Sequence, residues 1–338
     1  MIVEHATRSS RIGLALIAVT IVVLTLAPYW GDRQTLRLLA EMFTFIALAS
    51  LWNLLAGYAG LVSVGQQAFV GLGGYVLFAL AMLFDVNPIL AVFVAGPAGG
   101  LVAIPVALLI FRLRGAYFAI GTWVVAEVFR LLASQISVLG GGSGISLPAS
   151  LVIAMAPSRQ MREFEMYWLA LLLTIAILAV IFALLRSRHG LALTAIRDNE
   201  LAAQSNGIGV WNIKFTVYVL TAFGTSMVGA FIFLQKLRIS PDTAFSVNDW
   251  TAFVIFITVI GGIGRIEGPI IGTIIFFALR QTFAGLGSLY LLMMGAVAIV
   301  VMLWAPKGLW GMVVERLGWQ VLPLQRHLVP GTDARGKS

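Results

Sequence analysis

The chain has no cysteine in its 338 residues, which excludes disulfides and thiolate metal sites. Charge is nearly as scarce: Asp, Glu, Lys and Arg make up 11% of the chain, against about a quarter in soluble domains. Histidine occurs only as His5, His189 and His327, in three separate hydrophilic flanks, so no histidine metal cluster can be drawn. Apolar residues fill the remaining space, at 60% of the chain and a mean hydropathy of +0.99. A soluble domain is thereby excluded. The net charge of +8 does not point to nucleic acid, because the basic residues are scattered through short connections beside apolar runs.

The apolar residues come in blocks of about 17–23, the length that crosses a hydrocarbon core as helix, not in the ten-residue alternating segments of an outer-membrane barrel. The pattern predicts an all-α polytopic membrane protein with ten spans, near 12–28, 38–56, 61–82, 89–111, 116–133, 167–185, 213–234, 250–264, 269–284 and 289–305. Little is left between them for a soluble catalytic domain, so 1–338 is expected to be one transmembrane domain. Arg8 and Arg11 precede the first block as in a signal peptide, but "TLAPYW" offers no small-x-small cleavage site, so the first helix is expected to be retained. Placing the N-terminus in the cytoplasm puts fourteen of the twenty-two basic residues on that side. Arg33, Arg37, Arg130, Arg159, Arg162, Lys236, Arg238 and Arg280 fall at the outer ends. Both termini, and the tail 306–338, are then expected inside.

Two regions depart from simple spans. Residues 57–76, "GYAGLVSVGQQAFVGLGGYV", mix glycines with Ser63, Gln66 and Gln67 at membrane depth, and the short eighth and ninth spans are joined by "GGIGRIEGP". Glycine at that depth permits close helix packing or a break, and a broken helix is tolerated where protein or a water-filled path solvates its backbone. Interrupted segments point to a transport path. Asn53, Ser63, Gln66 and Gln67 are candidates to line it, or to tie helices together; the residues alone leave both readings open. Glu127 and Arg130 lie three residues apart on the fifth span, where they can form an ion pair or contribute to the path.

The longest connection within the chain, 186–212, reads "RSRHGLALTAIRDNELAAQSNGIGVWN". Asp198 or Asn199 can cap a short helix over "ELAAQSN", and Gly207 can end it in the left-handed conformation. Two turns of helix are not stable alone in water and need a docking surface. Ala202 and Ala203 would keep one side slim enough for a groove, with Arg197 and Glu200 at its edges.

The spacing of Glu200, Ala202, Ala203 and Gly207, E-x-A-A-x-x-x-G, resembles the loop by which permease subunits of ABC importers contact their ATPases. The chain as a whole resembles the LivM-type permeases of branched-chain amino acid importers. The stretches that carry this are "NLLAGYAGLVSVGQQAFVGLGGY", "RLRGAYFAIGTWVVAEVFRLL", "GGSGI", "HGLALTAIRDNELAAQSNGI", "ISPDTAFSV" and "VIGGIGRIEGPIIGT", in order from about residue 52 to 275. The resemblance implies a type II importer in the bacterial inner membrane. Its partners would be a second, similar permease subunit, two ABC ATPase subunits and a periplasmic solute-binding protein. This chain would bind no cofactor or metal, since ATP and magnesium would sit on the ATPases, and the short helix around Glu200–Gly207 would transmit their motion. Family members also carry urea, amides and aromatic acids. One departure stands out: where the family pattern often reads "LSLGHAAFFG", this chain has Val64-Gly65-Gln66-Gln67-Ala68, with Gln66 at the histidine position.

Two competing readings are weaker. An ion-coupled transporter needs ionisable residues near the midplane, and a channel needs a charge ring or filter repeat. The last eight residues, "GTDARGKS", match the phosphate-binding loop pattern G-x-x-x-x-G-K-[ST]. A working loop needs a strand before it and a helix after it. Here "HLVP" precedes and no helix follows within the sequence, so the match is expected to be accidental and the chain not an enzyme.

Overall fold

A computed structural model describes residues 2–4, 8–156, 158–283, 285, 289–305, 307–317 and 327–329. "GTDARGKS" lies outside the described residues. The chain is a helical bundle: α1 Arg8–Leu26, α2 Arg33–Asn53, α3 Gln66–Leu83, α4 Pro88–Ile110, α5 Ala116–Ser134, α6 Ala149–Met155, α7 Arg159–Arg186, α8 Arg188–Asp198, α9 Glu200–Ser205, α10 Val210–Lys236, α11 Pro241–Ala244, α12 Phe253–Gly261, α13 Gly268–Phe283, α14 Leu289–Trp304 and α15 Gly308–Leu317. Among the described residues, eight helical stretches are long and apolar enough to cross a membrane, and two shorter apolar ones, Ala18–Tyr29 and Gly268–Phe283, complete the expected set. Strands are few. β1 Ile2–Glu4 pairs antiparallel with β4 His327–Val329, and β2 Ile145–Ser146 with β3 Arg238–Ile239.

Local chemistry starts several of these helices. Asp32 caps α2, accepting from the Thr35 N–H at 3.3 Å and from its hydroxyl, which holds the carboxyl below the usual carboxylate range. Asn87 caps α4 ahead of Pro88 at the first helical position, and Ser158 caps α7. Some borders differ from the hydropathy reading. α7 begins at Arg159, not 167, because Ser158 starts the helix in the polar run "RQMREFE" before the apolar block. α3 begins at Gln66, not 61, because the glycine-rich stretch before it is not helical.

Two helices form hubs. α10 packs along α3 and α4, and α2 packs against α7, α12 and α13. Small residues allow the approach: at Gly73 an added Cβ would collide with the Ser226 carbonyl, and at Gly99 with the Ser226 side chain. We expect Gly73→Val to force α3 from α10 and destabilise the protein by about 3 kcal/mol, the upper range of overpacking. A thermal-shift measurement in detergent showing an unchanged midpoint would refute this. By contrast, only 22% of the apolar window of α5 and 12% of that of the Leu289–Val314 stretch are buried, so these segments present their faces outward.

The bundle has two ends. Alternating helix directions put the 187–209 connection, residues 112–115, the 262–267 turn and the α14–α15 junction at one, the loop end. The other, the far end, carries the starts of α2 and α7, the end of α10 and the β2–β3 clasp, where the Leu147 N–H donates to the Leu237 carbonyl at 2.9 Å.

Candidate permeation seam and coupling segment

A break in the second and third helices organises the interior. α2 widens into a π-helical turn, Leu54–Tyr58; residues 59–65 then run without regular structure, with Gly60 at φ +69°, before α3 starts inside the bundle. Polar groups freed by such a break must be satisfied by protein. The indole of Trp52 donates to the Ser63 carbonyl at 2.8 Å, the Ser63 hydroxyl accepts from Gly65 N–H at 3.1 Å, and Val64 N–H donates to the Thr122 hydroxyl at 3.0 Å. Ser63 is thus held within the core.

The other polar residues of this region are also buried and engaged. The Asn53 side chain donates to the Arg265 carbonyl at 2.8 Å and accepts from Gly264 N–H at 2.7 Å, clamping the end of α2 to the turn before α13. Gln66 donates to the Leu48 carbonyl at 3.0 Å and lines a cavity of about 20 Å³ with Ser63, Tyr218, Thr221 and Thr225, a volume that holds a single water. The Thr251 hydroxyl donates to Gln67 Oε1, joining the start of α3 to a second π-helical turn, Asn248–Ala252, that leads into α12. Asn53, Ser63, Gln66 and Gln67 therefore form a seam between two helix breaks, and in this conformation all four tie elements together. Glu127 is not part of the seam. It lies toward the far end, ion-paired with Arg130 at 2.6 Å, and Arg130 also reaches Asp242 at 2.8 Å.

At the loop end, Asn199 caps α9 by accepting from Ala202 N–H at 3.0 Å, and Gly207 closes it at φ +80°. Glu200 pairs with Lys214 of α10 at 2.8 Å, fixing the short helix to a long one. Ala203 turns inward, against Ile196 and Val210, so it does not help form the slim outer side expected for it; Ala202 is exposed. The outer surface is mixed, with Leu201 76% and Leu191 59% exposed beside the exposed Glu200, Ala202 and Gln204. Arg197 touches Asp198 at 3.5 Å and lies over Gly264, where an added Cβ would stand 3.2 Å from its guanidinium. α8 also rests on the Leu54–Tyr58 turn. α8 is thus seated on the helix break and, through Arg197, on the turn that Asn53 clamps, and α9 packs on α8.

The sequence reading missed three things: Lys214 as the partner of Glu200, Arg197 on Gly264, and a far-end cavity of about 1010 Å³ lined by Arg37, Glu41, Glu163, Lys236, Trp250 and Arg280, among others. For the cavity a signal existed, the basic residues at the outer helix ends, but it was legible only as a charge bias. Among the described residues no cluster of three metal-ligating side chains occurs.

Broken helices, a buried polar seam and an exposed helix seated on the break define a polytopic α-helical membrane protein built around interrupted spans. Residues 34–303 match the family described as the permease component of the branched-chain amino acid transport system, and the chain belongs to that family. Over 92% of its length it is 29% identical to the high-affinity branched-chain amino acid transport system permease protein LivM of Escherichia coli and 28% identical to that of Salmonella typhimurium, covering 78% of each. It is 23% identical over 70% of its length to a probable branched-chain amino acid transport permease LivM of Methanocaldococcus jannaschii, covering 74% of that protein. No solved structure matches the chain. The family consists of transport permease subunits and is not enzymatic.

Proposed function

We propose that the chain is the permease subunit of an ATP-driven ABC importer that carries branched-chain amino acids across the bacterial inner membrane. One observation carries the coupling part of this reading: the two-turn helix α9, with Leu201 exposed, packs on α8, and α8, with Leu191 exposed, stands on the helix break and reaches the polar seam through Arg197, Gly264 and Asn53. A two-turn helix is not stable alone, and exposed leucines on it and its neighbour suit a partner that covers them. Two ABC ATPase subunits supply that cover, holding ATP and magnesium; a second permease subunit faces the exposed helices, and a periplasmic solute-binding protein delivers the solute. The loop end is cytoplasmic, which puts both termini there and matches the basic bias.

In this scheme Arg197, Glu200, Ala202, Ala203 and Gly207 transmit the closure of the ATPase dimer: Glu200 and Ala203 fix α9 to its own chain, Ala202 faces the partner, Gly207 ends the helix, and Arg197 passes the movement to the 262–267 turn. Opening of the seam would free Asn53, Ser63, Gln66 and Gln67 to exchange their hydrogen bonds with solute; Glu127 would act near the outer entrance. The seam residues are all neutral, which favours external energy coupling over ion coupling. Urea, amides or aromatic acids are the alternative cargo of the same machine. The test is reconstitution with the partner subunits and the cognate binding protein: ATP-dependent uptake of leucine, isoleucine or valine supports the reading, and leucine, isoleucine and valine left outside while urea or an aromatic acid enters would replace it.

Gln66 tests how far cargo choice depends on the family's histidine position. Its amide donates to a carbonyl, a role an imidazole N–H can also fill, so Gln66→His is expected to change uptake by no more than about threefold, under 1 kcal/mol. A changed order of preference among leucine, valine and phenylalanine would show that this side chain meets the solute.

A further inference from the structure

The far-end cavity of about 1010 Å³ reaches deep into the bundle. Thr44, which lines it, lies three turns into α2 from Arg33, about 16 Å by helical rise. Its sides are protein: α2 packs against α7 and α13, α7 touches α10, and Phe233 of α10 meets Trp250 with ring centroids 6.1 Å apart. Its floor is aromatic, since Phe45 contacts Trp250 and Phe276, and Phe276 contacts Phe253. This floor sits one residue from Thr251, the partner of Gln67, so the cavity ends where the polar seam begins.

The charges around it are unevenly matched. Glu163 is surrounded by Arg37 at 2.8 Å, Arg33 at 3.3 Å and Arg159 at 3.7 Å, and Glu41 holds Arg280 at 2.6 Å. Among the described residues, Arg162, Lys236 and Asp249 of the lining form no close ion pair, although Asp249 and Glu41 both act electrostatically on Lys236. The Lys236 ammonium lies 4.6 Å from the Trp250 ring centroid and 5.6 Å from that of Phe233. Two cations and a carboxylate that are not closely paired, beside an aromatic floor in one cleft open at the far end, suit a molecule that carries both charges at one end and is apolar at the other. The volume lies at the upper edge of small-ligand pockets and leaves room for hydrated charge.

We propose that this cavity is a binding site, within a single permease chain, for a zwitterionic amino acid: Lys236 and Arg162 take its carboxylate, Asp249 its ammonium, and the aromatic floor its side chain. The proposal rests on the importer reading for its choice of probe. Because helices enclose its sides, the site fills from the far-end solution, and a phosphate or lipid headgroup is the competing occupant.

The test uses the complete importer in nanodiscs, without binding protein or nucleotide, and radiolabelled leucine as probe. Saturable binding is expected in wild type, weakened at least tenfold in Lys236→Met and in Asp249→Asn and retained in Lys236→Arg. 4-Methylpentanoate and 3-methylbutylamine, each carrying one of the two charges, should compete at least tenfold more weakly than unlabelled leucine. The proposal is overturned by absent saturable binding, by undiminished binding in both charge-removing variants, or by glycerol 3-phosphate displacing leucine as well as leucine itself. A complex that binds leucine in this pattern yet shows no ATP-driven uptake would count against the importer reading and support the cavity site. Unchanged uptake in both variants without saturable binding would do the reverse.

Discussion

Gly207→Pro is expected to reduce ATP-driven uptake at least about a hundredfold while the chain remains inserted in the membrane. Gly207 sits at φ +80°, a conformation closed to the proline ring near −65°, and its N–H donates to the Gln204 carbonyl at 3.0 Å, a bond proline cannot make. Losing the left-handed cap and one hydrogen bond costs about 3 kcal/mol locally, more than a two-turn helix can absorb. The same outcome is expected for Glu200→Arg, which turns the 2.8 Å pair with Lys214 into a like-charge contact. The readouts are co-purification with the ATPase subunits and transport in proteoliposomes. If both variants bound the ATPases and transported normally, the coupling role of α9 would be abandoned.

Asn53→Leu is expected to separate ATP hydrolysis from transport. The substitution leaves the Gly264 N–H and the Arg265 carbonyl without the partners they have at 2.7 and 2.8 Å, a penalty of about 1–3 kcal/mol for two part-buried groups. The damage is confined to the contact between the end of α2 and the turn beneath Arg197, so α9 and its docking face are untouched. Hydrolysis by the assembled complex should persist, with uptake lowered about tenfold or more. Asn53→Asp keeps the acceptor for Gly264 N–H and should fall between wild type and Asn53→Leu. Equal losses of hydrolysis and uptake in Asn53→Leu would instead mean that this clamp supports assembly, not transmission.

Much of this was legible before any coordinates. Spans are set by the length of apolar runs against the thickness of a bilayer, and the Asn199 cap, the Gly207 stop and the Glu127–Arg130 pair depend on residues within a few positions of each other. The glycine-rich 57–76 stretch announced either a break or close packing, and the fold uses it for both: a break over 59–65 and contact at Gly73. Asn53, Gln66 and Gln67 were recognisable as expensive polar residues, but the partners of Asn53 and Gln67 were not, because Gly264 and Thr251 come from segments about 200 positions away. Ala203 was misread for a related reason: which side of a two-turn helix faces its own chain depends on how Ile196 and Val210 approach it.

The amino-acid sequence by itself determined that this is a helical membrane protein, where its spans lie and where its helices stop, because hydropathy, capping and backbone conformation are properties of neighbouring residues. Only the tertiary structure decided that two helix breaks meet along one polar seam, that α8 rests on that seam through Arg197 and carries α9, and that scattered far-end charges surround a cavity. Those relations arise from packing between distant segments, where a side chain's role is set by what the folded chain brings against it.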